Sequence, residues 1–303
     1  MRKIFVHGLS ALDLIHTVSD LPKYAEKYKS NSVYVSIGGN AANASVALSR
    51  LGVKVFLSTV IGNDEVGKIL KQKLLSENID LSYTHYIDNF KTSISSIIID
   101  KNGERLVLNN REFNDIVIKN NIDYEIFDGF LFDSRDIKNS IKILERIKSI
   151  KKPKVLDAEE NTTNELLNYF SHVVFSYQGL KSFTGIDNIE RALKTFAQKT
   201  KFQTLVTNGE HGCYYIQDKM IKNIPALKIK AVDTLAAGDV WHGAFLFKLV
   251  KRFSLINSIE FANYIASLKC KKFGGSSGSP FLYEINENVC LLYTSPSPRD
   301  LAV

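Results

Sequence analysis

Short runs rich in Ile, Val and Phe are separated by stretches whose apolar residues recur at helical spacing. The runs are Lys3 to His7, Lys54 to Val60, Gly129 to Asp133, Lys154 to Asp157, His172 to Ser176 and Thr204 to Thr207. The helical stretches are Asn40 to Leu51, Asp64 to Asn78, Ile137 to Ile150, Asp187 to Thr200, Asp239 to Arg252 and Ser258 to Lys272. Strands that are apolar throughout must be covered on both faces, and strands joined through helices pair most simply in parallel. The alternation predicts an α/β fold, a doubly wound and mostly parallel sheet with helices on both faces. With 303 residues, 45% of them hydrophobic, the chain can bury a large core within one main unit.

Two segments break the alternation. Ser32 to Ile37 and Ser93 to Leu108 read as strands with no helix between them, and the second turns at Asn102-Gly103, a hairpin signal. They are expected to form a small β-strand lid, from about 12–36 and 86–110, over a site in a main domain spanning 1–289. The final stretch, 290–303, reads CLLYTSPSPRDLAV; it has two Ser-Pro steps and no periodicity. It resembles a translated sequencing adapter, so a non-native tail is expected there, in place of a natural C-terminal helix.

Charge narrows the function classes. The 39 Lys and Arg exceed the 32 Asp and Glu, but they are scattered among the acids, which argues for anionic small molecules as partners and against nucleic acid. Cys213, Cys270 and Cys290 have neither metal-like nor redox-like spacing, and an odd count does not suit a disulfide framework. A reducing cytoplasm fits. The start lacks a signal-peptide pattern, and no stretch approaches the roughly 20 apolar residues of a membrane helix, so no membrane partner is expected. His7, His16, His211 and His242 show no ligand spacing, and Trp241 and Phe245 read as core.

Val232 to Val250, VDTLAAGDVWHGAFLFKLV, carries the strongest chemical signal. The small-residue turn Ala236-Ala237-Gly238 opens into an apolar helix, whose unpaired amides and positive dipole end make an anion site. Asp239 in the first turn can accept a proton from an attacking hydroxyl, or it can simply favour the helix start. A second cluster, Gly38-Gly39-Asn40-Ala41-Ala42-Asn43, offers close backbone approach and amides suited to sugar hydroxyls, or an ordinary glycine turn with an Asn cap. Neither a P-loop nor a dinucleotide fingerprint is present.

Together, GGNAANASVALSRLG and DTLAAGDVWHGAF resemble the two signatures of the ribokinase, or PfkB, family of carbohydrate kinases, and the likeness runs from Lys3 to about Pro280. The resemblance implies a ribokinase-like core with a β-strand lid, and transfer of the γ-phosphoryl group of ATP, carried with Mg2+, to a sugar hydroxyl. Asp239 would be the catalytic base, and Ala236, Ala237 and Gly238 the backbone anion hole. Asp13, Gly39 and Asn43 would bind the sugar. Thr207, Gly209 and Gly212 would border the nucleotide, with Ala262, Asn263 and Ala266 packing near the adenine. Two departures stand out: an alanine at 236 where the family commonly has glycine, and Ser176-Tyr177-Gln178-Gly179 where it has N-x-x-E, so no magnesium ligand is assigned.

Within the family the text is similar to sulfofructose kinases and ketohexokinase-like members. That comparison places Lys27, Asn109 and Arg135 at a pocket for an anionic group, against which stands the reading of Lys27 and Arg135 as solvated surface charges. A ketohexose-type sugar is the expected substrate, anionic ones such as sulfofructose included. A nucleoside kinase of the same fold and a catalytically impaired sugar sensor are the rivals. A homodimer through the lid strands is expected.

Overall fold

The computed structural model describes residues 1–111, 121–198 and 200–285; the tail assigned to 290–303 lies outside the described residues. The strands are β1 (Lys3–His7), β2 (Ala11–Thr17), β3 (Ser32–Gly38), β4 (Lys54–Ser58), β5 (Val60–Gly62), β6 (His85–Ile87), β7 (Ile94–Ile99) and β8 (Arg105–Asn110), then β9 (Gly129–Asp133), β10 (Lys154–Ala158), β11 (His172–Ser176), β12 (Gln203–Thr207), β13 (Cys213–Gln217) and β14 (Met220–Ile224). The helices are α1 (Asn40–Arg50), α2 (Glu65–Ser76), α3 (Ile137–Arg146), α4 (Asn164–Leu167), α5 (Tyr177–Thr184), α6 (Ile189–Ala197), α7 (Ala237–Val250) and α8 (Leu255–Cys270).

The main sheet has eight strands in the order β14-β13-β12-β11-β10-β9-β1-β4, parallel from β12 to β4 and antiparallel in the β12-β13-β14 edge. Every residue of β9, GFLFD, and of β10, KVLDA, is buried, as central strands covered on both faces require. Side chains alternate between two cores. Ile4, Val6, Leu131 and Val155 pack with α1, α7 and α8, while Phe5, Phe130, Phe132 and Leu156 pack with α3 to α6.

A separate sheet, ordered β3-β2-β7-β8, stands outside this core. Its register puts Asp13 opposite Ser36 and Ser95, and Ser95 opposite Asn109, so these four share one face. Leu14, Val35, Ser96 and Leu108 share the other.

Three sequence expectations change. The strand read as Lys54 to Val60 divides at Thr59, because β5 leaves the sheet to pair with β6, which removes residues 85–87 from the outer sheet expected to begin at about 86. Helices read to Ile150 and Thr200 end at Arg146 and Ala197. The β13-β14 hairpin was not legible because it turns on Asp218 and Lys219, both at positive φ, without the glycine that marks such turns. The short helix α5, started by the Ser176 side chain accepting the Gly179 amide, was missed as well.

Candidate active site

Helix α7 starts abruptly. Ala236 caps it in the left-handed conformation, φ 62 and ψ 11, and the Ala237 amide bonds back to the Thr234 carbonyl at 3.2 Å. A left-handed L-residue costs about 1–2 kcal/mol, so the alanine at 236 carries strain that a glycine would not. Gly238 is exposed, and a Cβ built on it meets nothing within 4 Å. The Ala237 amide is held by that bond, whereas the Gly238 amide has no helical acceptor and lies at this open stretch of the helix start.

Helix α1 is pressed against α7 by small residues. A Cβ on Gly243 would lie 2.7 Å from the Ala44 carbonyl oxygen and 3.3 Å from Ala47 Cβ, so glycine permits the approach. One helical turn before Gly243 stands Asp239, and just before Ala44 stands Asn43. The two side chains meet: Asn43 Nδ2 donates to Asp239 Oδ2 at 2.7 Å. Asn43 is buried and its Oδ1 has no hydrogen-bond partner, an orphaned acceptor beside the carboxylate. Gly39, at φ 88, lies so close to the Leu9 carbonyl oxygen that a Cβ would come within 2.5 Å of it.

Carboxylates at the C-terminal ends of β9 and β10 complete the floor, where an open α/β sheet places its ligands. Asp133 accepts the amides of Leu9 (2.7 Å), Ala41 (3.2 Å) and Arg135 (2.9 Å), which ties the glycine–asparagine loop to the sheet. Asn40 Nδ2 donates to Asp157 at 2.9 Å and to Glu159 at 3.3 Å, and Arg135 pairs with Glu159. His242 contacts the Gly238 carbonyl through Nδ1 at 2.7 Å and places Nε2 3.4 Å from Asp157 Oδ1. Burial lowers its pKa, and since a carbonyl oxygen can only accept, Nδ1 is the donor to Gly238.

Crowding raises the acids. Asp239 keeps some exposed surface, yet the surrounding protein pushes its pKa up to about 7, through desolvation first and then the charge of Asp157. Asp133 and Asp13 are each raised to about 6, chiefly by burial. Asp157 is raised well above the carboxylate range by burial and by Glu159. If Asp239 acts as a base it must be ionised, so kcat/KM should fall about tenfold per pH unit below about 7 and level off above it. A profile flat from pH 8 down to 5 would remove Asp239 from that role.

The face bearing Asp13, Ser95 and Asn109 adds two more features. Asp13 packs against Gly38, where a side chain would collide with its carboxylate. Arg111 Nη2 donates to Asn109 Oδ1 at 3.1 Å, and burial together with the charge of Arg135 lowers the Arg111 pKa. Both Arg111 Nε and Arg135 Nε are buried without partners. Lys27 lies exposed in the β2–β3 connection.

The nucleotide-side residues are divided. Thr207 ends β12, and Gly209 (φ 50) and Gly212 (φ 79) flank a short turn whose Asn208 amide bonds the Gly212 carbonyl at 2.8 Å. Open space surrounds the Cβ position of Gly209. On α8, Ala262 is fully buried in the core, so it does not reach a surface groove. Asn263 spends its side chain on Trp241 Nε1 (2.7 Å) and the carbonyls of Ile224 (2.8 Å) and Pro225 (3.2 Å). Of the three, Ala266 alone retains appreciable exposed surface.

Sequence reading missed Arg111, Asp133, Asp157, Glu159 and the part played by His242. Asp133 and Asp157 carried a usable signal, an acid closing an apolar strand. Among the described residues no group of three or more His, Cys, Asp or Glu side chains is arranged to hold a metal. The stretch lacking the family acid lies against the Glu159 backbone, since a Cβ on Gly179 would lie 3.6 Å from Glu159 Cα. No helix among the described residues is long and apolar enough to cross a membrane.

Known proteins resemble this chain in sequence and fold. The family model described as pfkB family carbohydrate kinase matches residues 1–282. A ribokinase of Lactococcus lactis is 25% identical over 304 residues, covering 94% of this chain and 96% of that protein. A solved chain from Agrobacterium tumefaciens, named provisionally as a ribokinase, superposes with a TM-score of 0.90 at 27% identity, covering 97% and 99% of the two chains. An Arabidopsis thaliana ribokinase solved with ribose and ATP shares the fold, with a TM-score of 0.81 at 21% identity and coverage of 98% and 99%. With a match spanning nearly the whole described chain, this protein belongs to the pfkB family of carbohydrate kinases.

Proposed function

We propose that this kinase moves the γ-phosphoryl group of ATP onto a hydroxyl of a sugar that also carries an anionic group, bound between the outer sheet and the C-terminal ends of β9 and β10. One observation carries the reading: the 2.7 Å bond from Asn43 to Asp239 unites the glycine–asparagine loop and the α7 carboxylate in one recess. Asp13 and the free Asn43 Oδ1 accept sugar hydroxyls, while Gly39 lets the backbone come close. Asp239 takes the proton of the attacking hydroxyl, and of the Ala236, Ala237 and Gly238 turn the amides of Ala236 and Gly238 face the transferred group, the Ala237 amide being held by the Thr234 carbonyl. Thr207, Gly209, Gly212 and Ala266 border the nucleotide. Asp157 and Glu159 are the carboxylates that would face a magnesium ion carried with ATP, which would neutralise phosphate charge.

Arg111 and Arg135 support the anionic substituent, because two guanidiniums with unpartnered Nε atoms lie beside the Asp13 face, and Asn109 adds an amide. A panel of fructose, 6-phosphosugars, sulfofructose, ribose and adenosine, followed by ADP release, tests the reading. With an anionic sugar, Arg111→Gln should raise KM by about 10- to 100-fold and leave kcat nearly unchanged. Equal KM values for the two proteins would refute the anion reading.

A neutral pentose is the second reading, supported by relatives named ribokinase in Lactococcus lactis and Bacillus subtilis. Turnover of ribose well above every anionic sugar would decide for it. The outer face of Leu14, Val35 and Leu108 supports pairing of two copies through the outer sheet, since Val35 and Leu108 are 41% and 62% exposed.

A further inference from the structure

Beneath the recess lies a buried charge that the chemistry above does not use. Lys269, at the end of α8, has no exposed surface. Its Nζ donates to the Asp233 carbonyl oxygen at 2.9 Å and lies 3.2 Å from Asp233 Oδ2. That same Oδ2 accepts the amides of Gly274 (3.0 Å) and Gly275 (2.9 Å), and Oδ1 accepts the Leu235 amide at 2.8 Å. The amides of Val232 (2.8 Å) and Asp233 (3.1 Å) bond in turn to the Cys270 carbonyl. Asp233 is therefore the post around which the chain turns in the three residues before Ala236.

The left-handed Ala236 does not hold itself. An alanine free to relax leaves that conformation, so the surrounding contacts must enforce it. A buried ammonium is costly to desolvate, and an apolar side chain of equal volume would pack α8 against α7 as well. What the ammonium adds is a fixed hydrogen bond to the 233 carbonyl and a positive charge behind the amides of the α7 start. Burial lowers the Lys269 pKa and the Asp233 carboxylate raises it, while Asp239 lies within electrostatic range.

We propose that Lys269 is a positioning residue for phosphoryl transfer: with Asp233 it fixes the 233–236 turn, whose Thr234 carbonyl holds the Ala237 amide, so that the Gly238 amide faces the transferring group. This rests on reading the α7 start as the cradle for that group. The pair acts on the transition state more than on sugar binding, because its contacts are to the loop that meets the phosphoryl group.

The test replaces Lys269 by methionine and measures kcat by ADP release and sugar affinity by calorimetry. Lys269→Met should lower kcat at least 30-fold and leave the sugar Kd within threefold. In Lys269→Ala, added propylammonium should restore part of the lost kcat. A kcat within threefold of the parent overturns the proposal, as does a matched loss of kcat and sugar affinity, which marks a structural role. Should Lys269→Met not fold, Asp233→Asn is judged by the same two numbers; if both fail to fold, the pair is structural and the proposal falls. A parent that releases no ADP, or an Asp239→Asn variant with parental kcat, would instead overturn the cradle reading beneath it.

Discussion

Asp239→Asn should lower kcat by a factor of about 10²–10⁴ while sugar affinity changes little, the loss expected when a positioned general base is removed. The substitution is nearly isosteric, and the new amide still offers an oxygen to Asn43 Nδ2, so the α1–α7 contact survives. Stability separates this outcome from misfolding. The folded protein raises the Asp239 pKa to about 7, far above its unfolded value, so above pH 7 the ionised carboxylate weakens the fold in which it sits. A neutral residue removes that penalty, and at pH 8 the variant should melt at the same temperature as the parent or higher. A dead variant that melts lower would point to lost structure; a variant with parental kcat would exclude Asp239 as the base.

Gly243→Val should be the most damaging single change outside the reacting groups. Its Cβ would enter space 2.7 Å from the Ala44 carbonyl oxygen, and a backbone atom of α1 cannot swing aside as a flexible side chain would. Overpacking of this kind costs about 3 kcal/mol, against only a few tenths gained from helix propensity, so the clash decides the sign. A fall in Tm on the order of 5–10 °C follows. Because α1 must move away from α7, Asn43 parts from Asp239, and kcat/KM should drop at least tenfold even where the variant is folded. A variant with unchanged Tm would show that the helices have slack at this contact, contrary to the small-residue packing.

Both changes show how differently the parts of the site were legible. The order of strands and helices could be read because β9 and β10 are buried at every position, so each is apolar nearly throughout, and because Asp64, Asp136 and Asn188 cap their helices. The chemical centre was legible too, since AAGD at a helix start requires small residues and an acid within four positions. Lys27, drawn from the same resemblance as Arg135, stands exposed, because a residue in the β2–β3 connection has no pattern that fixes where the loop carries it. Ala262 illustrates the reverse case, a position assigned to a surface groove that helical phase turns into the core.

The sequence by itself determined much of the local geometry: most of the strands and helices of the main sheet, where α7 begins, and that Asp239 lies in its first turn. Tertiary structure alone decided that Asp133, Asp157, Glu159, Arg111 and Arg135 come within electrostatic reach of one another beside the glycine–asparagine loop, and that Lys269 is buried against Asp233. The reason is range. Periodicity and capping act over a few residues, whereas the raised acids and the buried ammonium owe their properties to neighbours tens to hundreds of positions away, brought close only when the sheet and its two cores have formed.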